Sequence, residues 1–328
     1  ESLASNWATQ YNGQISKKNV AITSGCNQAF CAVITALTNE NDEVIIPTPW
    51  YFNHHMWLQM AGVRTVPLET DGNMSPIVEK ASALITKKTR AIVLVSPNNP
   101  SGCVYSNDIL QKFFDLCRSN NLRLILDETY KDFHPRASKP HDLFENNDWD
   151  STLTVLYSFS KTYRMTGHRV GALLTSNQNL LEVEKVLDTF TVCPAQLGQY
   201  AANWGLNNLN AWITERRNEI LDRARHFKEK FHPLTELGWS LKGCGAYFAF
   251  LEHPFFEGSN ILAPLIFRDE GILLMPGTMF YPKTDPLGSR SFRIAFANID
   301  NNKITTLLER LQNLSYQRVN EKKHKKAQ

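Results

Sequence analysis

Short runs of apolar residues alternate with stretches of helical period from about residue 20 to residue 205. Val44-Ile45-Ile46, Ala91-Ile92-Val93-Leu94-Val95, Leu122-Arg123-Leu124-Ile125-Leu126, Leu153-Thr154-Val155-Leu156-Tyr157 and Val170-Gly171-Ala172-Leu173-Leu174 read as strands. Most of these runs are continuous rather than alternating, as strands covered on both faces are. Between two of them, Ile109, Phe113, Leu116 and Cys117 repeat on one helical face, with Ser106 placed as the N-cap. Strands alternating with helices predict an α/β unit around a largely parallel sheet.

From about Asn210 to Phe231 the pattern becomes one long amphipathic helix, with Ile213, Ile220, Leu221, Ala224, Phe227 and Phe231 on one side. His232-Pro233 is expected to end it. The apolar segments Ala246 to Leu251 and Ser291 to Phe296 then predict a smaller α+β unit. The opening, Glu1 to Trp7, has neither the basic nor the apolar region of a signal peptide and reads as the interior of an amphipathic helix. The basic tail Glu321 to Lys326 reads as a solvated end, and there is no internal repeat.

Composition narrows the class. At 328 residues, 42% hydrophobic, the chain is long enough for two domains and too apolar to be largely disordered. No apolar run approaches the roughly 20 residues that span a bilayer, so no membrane partner is expected. A net charge of +3 is too mild to argue for nucleic acid. The six cysteines are scattered, without C-x-x-C spacing, which points to a reducing compartment. The histidines include the adjacent pair His54-His55 but no metal-ligand spacing, so no metal is expected; this pair reads as a loop or helix start with one ring beside Trp57.

Candidate chemistry gathers at strand ends. Lys161 follows an apolar strand in Ser158-Phe159-Ser160-Lys161, and a partly desolvated lysine loses its proton readily and forms Schiff bases. Arg169 precedes the next strand, so both could face one cleft, and Ser158 with Arg169 would suit a phosphate. Ser96-Pro97-Asn98-Asn99-Pro100-Ser101-Gly102 fixes a rigid turn after another strand. Asp127, in Asp127-Glu128-Thr129-Tyr130, ends a third; alone it would fit a helix cap or a metal ligand, but no second ligand is near in sequence. Thr23-Ser24-Gly25-Cys26-Asn27 opens a helix with a small-residue turn whose free N–H groups suit a phosphate.

Together and in this order, these motifs resemble the pyridoxal-phosphate-dependent aminotransferases of fold type I, class I/II. The resemblance runs from about Asn19 to Asn298. It implies a large domain with a mostly parallel seven-stranded sheet flanked by helices, a smaller α+β C-terminal domain, and a homodimer. The implied boundaries are 1–18 for the remnant of an N-terminal segment, 19–208 for the large domain, and 209–328 for an interdomain helix plus the small domain. By resemblance, Lys161 holds pyridoxal 5′-phosphate as an aldimine and moves a proton between substrate Cα and cofactor C4′. Asp127 pairs with the pyridine nitrogen, while Tyr130 and Asn99 reach the ring's 3′-oxygen. Tyr51 stacks on the ring, with Trp50 as the alternative if the register slips by one. Gly25, Cys26, Asn27, Ser158 and Arg169 hold the phosphate. Arg293, with Asn99, takes the substrate carboxylate. Gly243 to Phe248 and Met275 to Phe280 match the family's scaffold and cleft wall.

The activity this implies is transfer of an amino group from an L-amino acid to a 2-oxo acid in a cytoplasmic enzyme. A C–S β-lyase would use the same residues, and an aminotransferase-like sensor domain of a transcription regulator would share the fold. Family members also carry an N-terminal segment ahead of the helix at Glu1 to Tyr11. A chain without it is expected to be a fragment or truncated product and could be inactive.

Overall fold

In the computed structural model of the protein, which describes residues 1–136 and 139–316, the apolar runs become one seven-stranded sheet. Its strands are β1 (Val20–Thr23), β2 (Glu43–Pro47), β3 (Arg64–Leu68), β4 (Thr89–Val95), β5 (Arg123–Asp127), β6 (Leu153–Ser158) and β7 (Gly171–Leu174). Their order is β1-β7-β6-β5-β4-β2-β3. The pairings from β6 through β5, β4 and β2 to β3 are parallel, and β7 is antiparallel to both β6 and β1. The expected solvated tail, Glu321 to Lys326, lies outside the described residues.

The central strands are apolar throughout because both their faces are covered. Alternate residues feed two cores: Ile92, Leu94, Leu124, Leu126, Val155 and Tyr157 join one, Ala91, Val93, Ile125 and Leu156 the other. The first core is covered by helices α1 (Ser2–Tyr11) and α5 (Asn107–Ser119), the second by α2 (Cys26–Leu37) and α3 (Phe52–Met60), with α4 (Val78–Leu84) beside α5. Ser106 caps α5 as expected, its hydroxyl accepting from Ile109 N at 3.2 Å. The buried face of α5 is rotated from the expected one, however. Leu110, Phe113, Phe114 and Cys117 are buried, whereas Ile109 and Leu116 are only partly covered.

The two strands that the apolar pattern did not mark, β1 and β3, lie at the sheet's edges. β3 carries Arg64 and Pro67, which an edge tolerates because one side needs no ladder.

A four-stranded antiparallel sheet follows, ordered β10-β11-β9-β8 from β8 (Ser240–Gly245), β9 (Phe248–Glu252), β10 (Met275–Pro276) and β11 (Ser291–Ala295). Its core takes Ala224 and Phe227 from the long helix Asn210–Lys230, and Ile304, Leu308 and Leu311 from the helix Asn301–Gln312. The long helix ends at Lys230, just ahead of His232-Pro233 as expected. A separate short helix, His232–Glu236, begins there with Pro233 in its first turn, where a missing N–H costs nothing. Among the described residues, no helix is long and apolar enough to cross a membrane.

Topology sets the position of the site. β4, β5 and β6 are parallel, so the residues after them emerge at one edge. β1 runs in the same sense as β6 because β7 is antiparallel to both; Thr23 and Ser158 each pair with Gly171. Arg169, just ahead of β7, therefore joins the same edge. The second sheet closes over it: glycines allow the backbones of Gly102 and Gly245 to meet, and a Cβ at either would strike the other's main chain.

Candidate active site

One cleft of about 360 Å³ between the two sheets is lined by Cys26, Asn27, Tyr51, Asn99, Asp127, Tyr130, Ser158, Lys161, Arg169 and Arg293. These are the candidate residues of the sequence, with Gly25 adjoining through Arg169. Trp50, the alternative to Tyr51, is excluded from the cleft. Its indole N–H donates to Met279 O at 3.2 Å and its ring stacks on His55 at 4.2 Å.

Asp127 is buried at the end of β5. Parity along the strand turns it toward the face that holds α2 and α3, since Ile125 is on that face. His54 Nε2, from the first turn of α3, lies 3.3 Å from its Oδ2, and Thr129 N donates to Oδ1 at 2.9 Å. Burial pushes the carboxyl up, but these two partners outweigh it and hold Asp127 below its ordinary value. The acid is thus kept ionised in an apolar setting.

Lys161 sits in the one-turn helix Phe159–Thr162, half-buried, with no carboxylate paired to its amine among the described residues. Burial, then the Arg293 and Arg169 charges, lower its pKa, favouring the neutral nucleophilic amine. Its main chain is fixed from the second sheet, where the Tyr247 hydroxyl donates to Lys161 O at 3.3 Å.

At the other end of the cleft Gly25 caps α2 with φ +88° and offers no side-chain acceptor, leaving the helix's first N–H groups open. A Cβ at Gly25 would run into the Arg169 guanidinium, and one at Gly171 would lie 2.5 Å from Gly25's carbonyl carbon. Two glycines therefore make a cradle in which a guanidinium sits against a helix N-terminus. This is an anion site by geometry.

Arg293, on β11, donates to Asn99 Oδ1 at 2.9 Å and to Met275 Sδ at 2.6 Å, and its Nε is buried without a hydrogen-bond partner. It lies over the rings of Phe248 and Phe280. A half-buried guanidinium held by a thioether and an amide, with a donor unused, is arranged to take a carboxylate.

The sequence reading missed His54. The pair His54-His55 lies at the start of α3, as expected, and His54 and Trp57 line one small pocket; His54 also stacks on Phe30 at 4.0 Å and His55 on Trp50. The available signal was spacing, because a histidine three residues after Tyr51 in a helix returns to the same face. Among the described residues, no cluster of three or more His, Cys, Asp or Glu could hold a metal.

The chain is similar to known proteins in sequence and fold. An aspartate aminotransferase of Thermotoga maritima is 28% identical over 287 residues, 85% of this chain and 73% of that protein. An aromatic aminotransferase of Arabidopsis thaliana is 29% identical across 67% of this chain and 57% of its own length. The solved Thermotoga maritima aspartate aminotransferase superposes with a TM-score of 0.84 at 26% identity, covering 95% of this chain and 80% of that one. With the family model for aminotransferase class I and II matching residues 1–311, the chain belongs to the class I and II aminotransferases.

Proposed function

We propose that this cleft binds pyridoxal 5′-phosphate and uses it to move an amino group from an L-amino acid to a 2-oxo acid. The observation that carries the reading is the company Lys161 keeps: an unpaired amine of lowered pKa in one cleft with a buried ionised Asp127, a glycine-lined anion cradle and Arg293. The cradle fits a phosphate, and the Asp127 carboxylate fits a protonated ring nitrogen.

When bound, the cofactor supplies an aldehyde that takes the amino group and a ring that withdraws electrons from it. The chain's own residues do the rest. Asp127, kept anionic by His54 and Thr129, stabilises a proton on the ring nitrogen. Gly25, Cys26, Asn27, Ser158 and Arg169 would hold the cofactor's phosphate, Tyr51 would pack against its ring, and Tyr130 with Asn99 would bind its 3′-oxygen. Arg293 orients the substrate by its carboxylate, and Lys161 Nζ takes the proton from substrate Cα.

The aromatic walls, Tyr51, Phe52, Tyr247 and Phe248, suit large apolar side chains, so aromatic amino acids join aspartate in the first donor panel. Separate cores support a division into domains near residue 209. A homodimer is supported by an exposed apolar stretch that includes Phe190, Val192, Leu197, Tyr200 and Trp204, with Leu197 82% exposed; its mass in solution tests this. Six free cysteines agree with a reducing, cytoplasmic setting.

Adding pyridoxal phosphate to the purified chain should produce a visible absorbance that borohydride fixes to the peptide carrying Lys161. Lys161→Ala should abolish that absorbance and all transfer to 2-oxoglutarate or pyruvate. Cofactor still fixed by borohydride in the variant moves the assignment to another lysine. Ammonia and pyruvate released from cysteine-type substrates without an acceptor would make the enzyme a β-lyase.

A further inference from the structure

Behind the cleft, on the face of the sheet covered by α1, a second charged pair is buried. Lys131, 3% exposed at its side chain, lies 3.2 Å from Asp132 Oδ1. Its ammonium donates to Gln10 Oε1 at 2.6 Å and sits 4.8 Å, 5.7 Å and 5.3 Å from the ring centres of Trp7, Tyr11 and Tyr157. A buried pair like this is weak evidence of stabilisation, because desolvation offsets most of the attraction. What it fixes in place is more informative. The other oxygen of Asp132 accepts from the Tyr157 hydroxyl at 2.7 Å and from Thr162 Oγ1 at 2.8 Å. Tyr157 is the last residue but one of β6, and Thr162 directly follows Lys161. One carboxylate oxygen therefore clamps both ends of the segment whose other side presents Ser158 and Lys161 to the cleft.

We propose that Asp132 is a positioning residue for Lys161, acting through Thr162 and Tyr157 without touching the cofactor. The clamp holds the lysine's backbone so that its amine meets the aldehyde without a search among turn conformations, which is how pre-orientation accelerates a bond-forming step. Tyr247 completes the fastening from the opposite side through Lys161 O. The proposal rests on the reading that Lys161 captures pyridoxal phosphate.

The test is the rate at which purified variants gain visible absorbance on mixing with pyridoxal phosphate, alongside thermal melting without it. Thr162→Val leaves Asp132 its other two partners and should slow capture roughly tenfold, the effect of one hydrogen bond to a charged group. Thr162→Ser should restore the parental rate. Asp132→Asn should slow capture at least as much. If Thr162→Val and Asp132→Asn melt lower but capture at the parental rate, Asp132 is a stabilising residue only and the proposal fails. Should Asp132→Asn not fold, Thr162→Val and its serine rescue decide alone. Failure of the underlying reading looks different: Lys161→Ala would then still fix cofactor under borohydride.

Discussion

Asp127 and Glu128 are neighbours at the end of β5, both buried, and each lies 3.3 Å from a histidine nitrogen. They face opposite sides of the sheet. Asp127 opens to the cleft, its histidine coming from α3, and the Nδ1 of that histidine, His54, has no hydrogen-bond partner among the described residues. Glu128 faces the core under α1, where the Tyr11 hydroxyl donates to it at 2.6 Å. Its histidine, His141, accepts from Leu143 N at 3.2 Å through Nδ1, while Nε2 faces Glu128 out of hydrogen-bonding line. The same pair of residue types is thus closed into a packed core on one side and left facing a cavity on the other. What separates a site from a structural pair is access, which strand parity decides.

The sharpest way to break this comparison is to remove each carboxylate. Asp127→Ala should cost amino transfer on the order of 10²–10³-fold, as loss of a preorganised electrostatic partner does, with a small change in melting. Glu128→Ala should do the reverse, costing about 1–3 kcal/mol in denaturant unfolding because the Tyr11 hydroxyl is left buried without its acceptor. Equal losses of activity at unchanged stability would show that both carboxylates serve the chemistry. The histidines should repeat the contrast more weakly. His54→Gln is expected to lower activity about tenfold at near-constant stability, and His141→Gln to cost about 1–2 kcal/mol with activity kept. Activity assays and urea curves on the two variants separate these outcomes.

The same contrast explains how much of the molecule was legible in its sequence. Asp127, Lys161, Asn99 and Arg169 could be read because each belongs to a short motif at a strand end. Strand-end position follows from apolar runs that are themselves local. The partners could not. Tyr11 and Glu128 are 117 residues apart, and nothing in the chain's local pattern joins them. His54 sits in an unremarkable helical stretch and meets Asp127 only because the fold brings β5 beside α3. Elements were lost where burial is partial, as with edge strands β1 and β3. On α5 the fully buried face, Leu110, Phe113, Phe114 and Cys117, is turned from the one that the spacing of Ile109, Phe113 and Leu116 suggested.

The smallest expected effect is a pH dependence. Asp127 is held below its ordinary value of 3.8 in the folded chain by His54 and Thr129, against the upward push of burial. Between that depressed folded value and 3.8, the unfolded chain binds a proton that the folded chain refuses, so stability falls as pH falls. The contribution is therefore fully present above about pH 4 and lost as pH drops through the folded value. Glutamine or asparagine carries no such titration. Asp127→Asn should be less stable than the parent at neutral pH and should lose stability less steeply on acidification below pH 4. Asp132 is likewise held low, by Lys131, Tyr157 and Thr162 against its burial, so a residual acid slope should survive in that variant. The removal of both, Asp127→Asn with Asp132→Asn, should flatten it further. Parallel slopes in parent and Asp127→Asn would mean that His54 and Thr129 do not hold the carboxyl below its ordinary value in the folded chain.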